Sequence, residues 1–212
     1  MKSRRIAMSV LGVIVCAISV GIFKIAALGV DPFQSLMSGL NQLIPISFGT
    51  LYVIVNVILL LFSLIADKSN IGIATFINLF LLGYITEFTY AFLQTIIVEP
   101  GMLVRVLCLL VAIVIICIGS SFYMTAKLGV STYDAVAIIL SEKWKLGKFK
   151  YIRIITDVTC VTLGILMFLL GGGEWSLIPT FVGVGTIITA FFMGPLIQFF
   201  NDKLAIPFLN RS

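Results

Sequence analysis

Six apolar stretches, each long enough to cross a lipid bilayer, constrain this chain more than any other feature. They cover about residues 6–28, 48–66, 71–97, 102–126, 150–171 and 177–200, and a helix needs about 20 apolar residues to traverse the hydrocarbon core. Polar breaks punctuate them: Asp67-Lys68-Ser69-Asn70, Glu99-Pro100-Gly101 and Gly171-Gly172-Gly173-Glu174. Only 11% of the residues are charged and 60% are hydrophobic, against about 25% charged in an ordinary soluble domain. The first stretch starts like a signal peptide, but no small-x-small cleavage pattern follows, so it reads as an uncleaved first helix. The predicted fold class is an all-α integral membrane protein of six transmembrane helices.

Loop charge supplies the orientation, because Lys and Arg accumulate on the cytoplasmic side. With the amino terminus inside, that side holds Lys2, Arg4, Arg5, Lys68, Lys127, Lys143, Lys145, Lys148, Lys150, Arg153, Lys203 and Arg211, and the other side only Lys24 and Arg105. The division is 12 against 2 of the 14 basic residues. Both termini are therefore expected in the cytoplasm, and the net charge of +5 needs no nucleic-acid partner to explain it.

The sequence also repeats itself. Ala26-Ala27-Leu28-Gly29-Val30-Asp31-Pro32-Phe33 returns 100 residues later as Ala126-Lys127-Leu128-Gly129-Val130-Ser131-Thr132-Tyr133, each copy ending the first helix of a half. Gly72-Ile73-Ala74-Thr75 and Gly83 align with Gly183-Val184-Gly185-Thr186 and Gly194, which sets Glu87 against Gln198. Asn56 falls near Asp157 in the middle helices. Halves of three helices, 1–100 and 101–212, must enter the membrane with opposite orientation. Such inverted repeats are a recurrent plan of transporters, with sites near the midplane between the halves.

The "LGVDPF" and "LGVSTYD" pair, the six-helix length and the Gly-x-x-Thr late helices resemble the YczE/YyaS/YitT family of bacterial membrane proteins. The resemblance covers essentially the whole chain and implies a bacterial cytoplasmic-membrane location. It implies no substrate and no site residues.

After each Leu-Gly-Val turn comes a short amphipathic segment, 31–43 and 131–142, capped by Asp31 and by Ser131 or Thr132. Both are too short to span. They are either re-entrant half-helices with their N-termini aimed at a substrate or interfacial helices that only redirect the chain. Helix one completes a crossing before Gly29, which favours the interfacial reading.

Ionisable groups within spans are costly and default to functional candidates. Glu87, with Gln198 as its counterpart, leads them. Asp157 has a structural alternative in Arg153 at i+4 spacing, and Lys24 has one in snorkelling to the surface. Asn56, Asn78, Thr75 and Thr186 complete the candidate substrate-binding set. The four Cys show no metal-ligand spacing and read as small packing residues. The absence of His removes His-based metal sites and bases, so no cofactor is expected and an enzyme is not expected either.

The favoured function is a gradient-driven transporter of a small neutral, zwitterionic or monoanionic solute, since no phosphate-binding Gly-x-x-x-x-Gly-Lys-Ser/Thr loop occurs. A channel is the near alternative. A non-transporting helper that stabilises or recruits a partner protein is the second class, with the basic stretch Lys143–Lys150 as its docking surface for protein or anionic lipid. Expected partners are the lipid bilayer, a small molecule, and a homo-oligomeric copy or partner protein.

Overall fold

The computed structural model describes residues 2–210; Arg211, counted among the inner-side charges, lies outside them. The described chain is helical throughout. In order it forms α1 (Lys2–Ala26), α2 (Pro32–Leu43), α3 (Phe48–Ala66), α4 (Ile73–Ile96), α5 (Met102–Thr125), α6 (Thr132–Ile138), α7 (Phe149–Leu170), α8 (Ile178–Phe181), α9 (Val184–Phe200) and α10 (Ile206–Asn210). Six helical segments are long and apolar enough to span a membrane, within one to four residues of the predicted bounds except at the last, which extends over Trp175–Asn210. Their outer faces carry large exposed hydrophobics such as Ile58, Ile65, Phe88, Leu103 and Phe191, as lipid contact requires.

The centre is α1 against α5. Gly12 meets the backbone of Gly119 and Tyr123, while Ser19 Oγ donates to Ala112 carbonyl at 2.7 Å. Rising numbers along α1 meet falling numbers along α5, so the two run antiparallel. α4 packs on the other flank of α1, where Thr86 Oγ1 donates to Ala17 carbonyl at 3.1 Å. Cys16, Cys117 and Cys160 are buried and all four cysteines are free, as their apolar setting predicts.

The short segments depart from the interfacial expectation. Pro32, Phe33, Gln34, Ser35, Met37 and Gly39 of α2 are buried, and α2 lies along α7 so closely that a Cβ on Gly39 would come within 1.9 Å of Gly164 carbonyl oxygen. Glycine at both positions lets the backbones touch. α6 is likewise buried at Thr132, Tyr133, Ala135 and Ala137 and packs on α3. An interfacial helix shows water one face and lipid the other; these segments bury both. Inside the bundle α6 is met by polar residues of α3 and α7 (Asn56, Asp157 and Arg153), and Ser35 of α2 donates to Phe181 carbonyl at 2.8 Å.

The turns that feed them explain how the chain gets in. Ala27 and Lys127 take left-handed φ of 49° and 53°, and Gly29 and Gly129 take φ of 100° and 112°. Two consecutive left-handed excursions reverse the chain, and glycine accepts the second without Cβ strain. Each turn is then tied to a distant segment. Gly29 N–H donates to Thr180 carbonyl and Val30 N–H to Phe181 carbonyl, both at 3.1 Å, while Val130 N–H donates to Asn70 carbonyl at 3.1 Å. In return Gly185 N–H donates to Leu28 carbonyl at 2.7 Å and Ala74 N–H to Leu128 carbonyl at 3.0 Å.

Candidate functional site

Where α2 and α6 begin, the bundle holds a partly open cavity of about 120 Å³. Its walls come from the C-terminal half of α1 (Cys16, Val20), the C-terminal half of α5 (Ile116, Ser120, Tyr123), the first turns of α2 and α6, and inward residues of α3, α4, α7 and α9. Asp31 caps α2 by accepting from Gln34 N–H at 3.1 Å, and Ser131 caps α6 by accepting from Asp134 N–H at 3.1 Å. One free N–H at each helix start is thus already met by a protein side chain.

One wall is a continuous polar chain. Asn56 donates from Nδ2 to Tyr52 carbonyl at 2.8 Å and accepts from Thr132 Oγ1. Tyr52 Oη donates to Asn78 Oδ1 at 3.1 Å. The opposite wall is ionic. Arg153 pairs with Asp134 through one guanidinium nitrogen and with Asp157 through Nε at 3.3 Å, while Tyr133 Oη donates to Asp157 Oδ1 at 2.6 Å. The guanidinium also lies 4.5 Å from the Tyr133 ring centroid. Between the walls Phe33 and Tyr133 stack at 4.9 Å, with Tyr52 edge-on to Phe33 at 5.9 Å. Of three buried side-chain polar atoms without a partner, Ser9 Oγ, Gln34 Oε1 and Tyr123 Oη, the last two belong to residues that line the cavity.

The sequence candidates divide. Asn56 and Asn78 line the cavity, and Asp157 stands behind it, holding Arg153 at the i+4 spacing read from the sequence. Thr75 and Thr186 lie at the turn docks: each accepts from the N–H of its N-cap glycine, Gly72 at 3.1 Å and Gly183 at 3.2 Å, and Thr75 donates onward to Val130 carbonyl at 2.6 Å. Glu87 and Gln198 do not meet. Glu87 accepts from Gly49 N–H at 3.0 Å in the first turn of α3, while Gln198 is exposed and donates to Asp202 at 3.0 Å. Glu87 is held there because a carboxylate is stabilised by the free amides and partial positive charge of a helix start; the repeat alignment carried no information about which way each side chain turns. Lys24 sits with its ammonium 3.1 Å from the Phe48 ring centroid, in a separate outer cavity of about 360 Å³ shared with Tyr90, Ser38 and Asn41.

Cavity groups that escaped the sequence reading as site residues include Asp31, Gln34, Tyr52, Tyr123, Tyr133, Asp134 and Arg153. Arg153, counted among the inner-side charges, is half-buried and turns toward Asp134 and Asp157. Its available signal was the pair of carboxylates, Asp134 and Asp157, within reach of one inward helix face. Among the described residues no cluster of His, Cys, Asp or Glu is suited to a metal ion.

Six apolar spans around a buried polar centre are the architecture of a multi-pass helical membrane protein. The profile of a family of unknown function, DUF6198, matches residues 3–202, and the chain belongs to that family. It is 22% identical over 202 residues to the uncharacterized protein YyaS of Bacillus subtilis, covering 95% of this chain and 94% of that one. It is 24% identical over 200 residues to an uncharacterized protein of Haemophilus influenzae, covering 94% of this chain and 82% of the other. No solved structure matches it.

Proposed function

We propose that this protein is a transporter of a small solute, built from two inverted three-helix repeats with its site in the central cavity. The observation that carries the reading is a partly open cavity within the bundle whose wall includes unpartnered buried polar atoms. Leaving such an atom unpaired inside a helical bundle is costly, and a bound solute would complete it.

Residue pairs 100 apart support the inverted arrangement. Phe33 stacks on Tyr133, and Cys16 Sγ lies 3.9 Å from Ile116 carbonyl. A residue touches its own repeat mate only where a two-fold axis passes. The exchanged turn docks, Leu28–Val30 on the start of α9 and Leu128–Val130 on the start of α4, fit the same axis. The charge bias of the loops supports cytoplasmic termini and a bacterial cell-membrane location.

The halves differ in closure, which favours a carrier over a channel. Gly83 of α4 packs within 2.7 Å of where its Cβ would meet Tyr52 of α3, whereas its mate Gly194 on α9 has nothing within 4 Å. Between α7 and α9 lies an apolar crevice of about 310 Å³, lined by Val158, Val161, Ile187 and Phe191. One half closed and the other open is the expected resting asymmetry of alternating access. The test is substrate-dependent thermal stabilisation of purified protein across a metabolite panel, followed by uptake into proteoliposomes. A hit whose uptake is abolished by Asn56→Leu supports the reading; stabilisation with no flux in sealed vesicles overturns it.

A further inference from the structure

Resting on that transporter reading, we infer that the cavity takes a small protonated primary amine, with Asp31 as its counter-ion and Gln34 Oε1 as a hydrogen-bond acceptor. Two helix N-termini point here, and helix starts ordinarily favour anions. In this site that preference is already met by the protein itself. Asp31 occupies the start of α2, and Asp134, bonded to Ser131 and Arg153, occupies the start of α6. Arg153, the one cation on the wall, is engaged by both Asp134 and Asp157. The charged groups facing the cavity or backing it are therefore three carboxylates against one guanidinium, a balance that favours an entering cation over an anion.

Two oxygens on the wall are free to accept from an entering donor. Gln34 is 3% exposed and its Oε1 has no partner. Tyr123 is 6% exposed and its hydroxyl is likewise unpartnered. An ammonium carries three N–H donors and no acceptor, as the inventory of such groups requires. The aromatic rings of Phe33, Tyr52 and Tyr133 line the same space, and ring faces attract a desolvated cation. A cavity of about 120 Å³ limits the molecule to a few heavy atoms. Lys24, the other buried cation of the region, stays in the outer cavity over Phe48.

The experiment uses the full chain in nanodiscs with ethylammonium, tetramethylammonium, propan-1-ol and propionate, read by calorimetric binding and by flux into proteoliposomes. Ethylammonium should bind most tightly. Asp31→Asn, which keeps a good N-cap and removes the charge, should weaken it by at least about tenfold, the loss typical of one charge-assisted hydrogen bond. Gln34→Met should also weaken binding while leaving the unliganded protein as stable or more so, because it deletes a buried unpaired amide; a purely structural Gln34 would lose stability instead. Equal or tighter binding of propionate or propan-1-ol, an undiminished Asp31→Asn, or no binding of any probe overturns the amine assignment. Asn56-dependent uptake of propionate or propan-1-ol overturns it too and leaves the transporter reading standing. Ethylammonium binding without flux does the reverse.

Discussion

Glu87 shows how a charge inside a span is kept. Its carboxylate accepts from Gly49 N–H in the first turn of α3, where the helix dipole contributes roughly 0.3–1 kcal/mol to an anion. Glu87→Gln retains an acceptor and loses the charge, so thermal unfolding should show a loss of about 1 kcal/mol or less, with substrate uptake retained. Abolished uptake would return Glu87 to the mechanism. Asn56 presents the opposite case, a neutral residue that is 1% exposed and bonded on both sides. Thr132→Val removes the donor to its carbonyl and keeps the shape. The expected cost is about 1–2 kcal/mol, set by a buried polar atom left in a medium without water. Chemical unfolding of the two proteins side by side measures it.

At the scale of elements, closure of α4 on α3 rests on small residues, and the equivalent contact of α9 is open. Gly83→Leu should therefore overpack the α3–α4 contact and lower stability by about 1–3 kcal/mol. Gly194→Leu meets open space in this conformation and should leave the melting temperature unchanged. On the transporter proposal it should nevertheless slow uptake, because α9 would have to close on α7 in an opposite state; unchanged uptake would argue against that motion. Pro195, inside α9, removes one backbone donor beside this glycine. The spans were legible in the sequence because hydropathy acts over some twenty residues at once. The placement of α2 and α6 was not, because an amphipathic three-turn helix has the same pattern whether its polar face meets water or buried partners. Only Gly39, Gly164, Asn56 and Asp157, brought together from distant stretches, decide between those settings.

For the whole molecule, the two halves are joined through backbone hydrogen bonds and not only through apolar faces. The turn Leu28–Val30 is completed by residues 180–185, and Leu128–Val130 by residues 70–74. Fragments 1–100 and 101–212, produced together, should assemble into one species that co-purifies. Each produced alone should be recovered aggregated or degraded, as size-exclusion profiles in mild detergent would report. The repeat was legible because Leu-Gly-Val needs a particular residue at the left-handed position, and the same local demand arises twice. The cavity chemistry was less so. Tyr52, Tyr123 and Arg153 earn their place from three-dimensional neighbours, and nothing in their own sequence surroundings separates them from packing or loop residues.

The exchanged docks also bear on how the protein is made. A ribosome releases the first turn long before it reaches Thr180 and Phe181, whose carbonyls receive Gly29 and Val30 N–H. Throughout that interval two amides of the nascent chain lack their final acceptors in a solvent that offers few substitutes. Three early helices thus wait, inserted but unfinished, for the last one to arrive. That waiting intermediate is where an insertase or membrane chaperone would find a client, and where a pause in translation before residue 180 would be felt most.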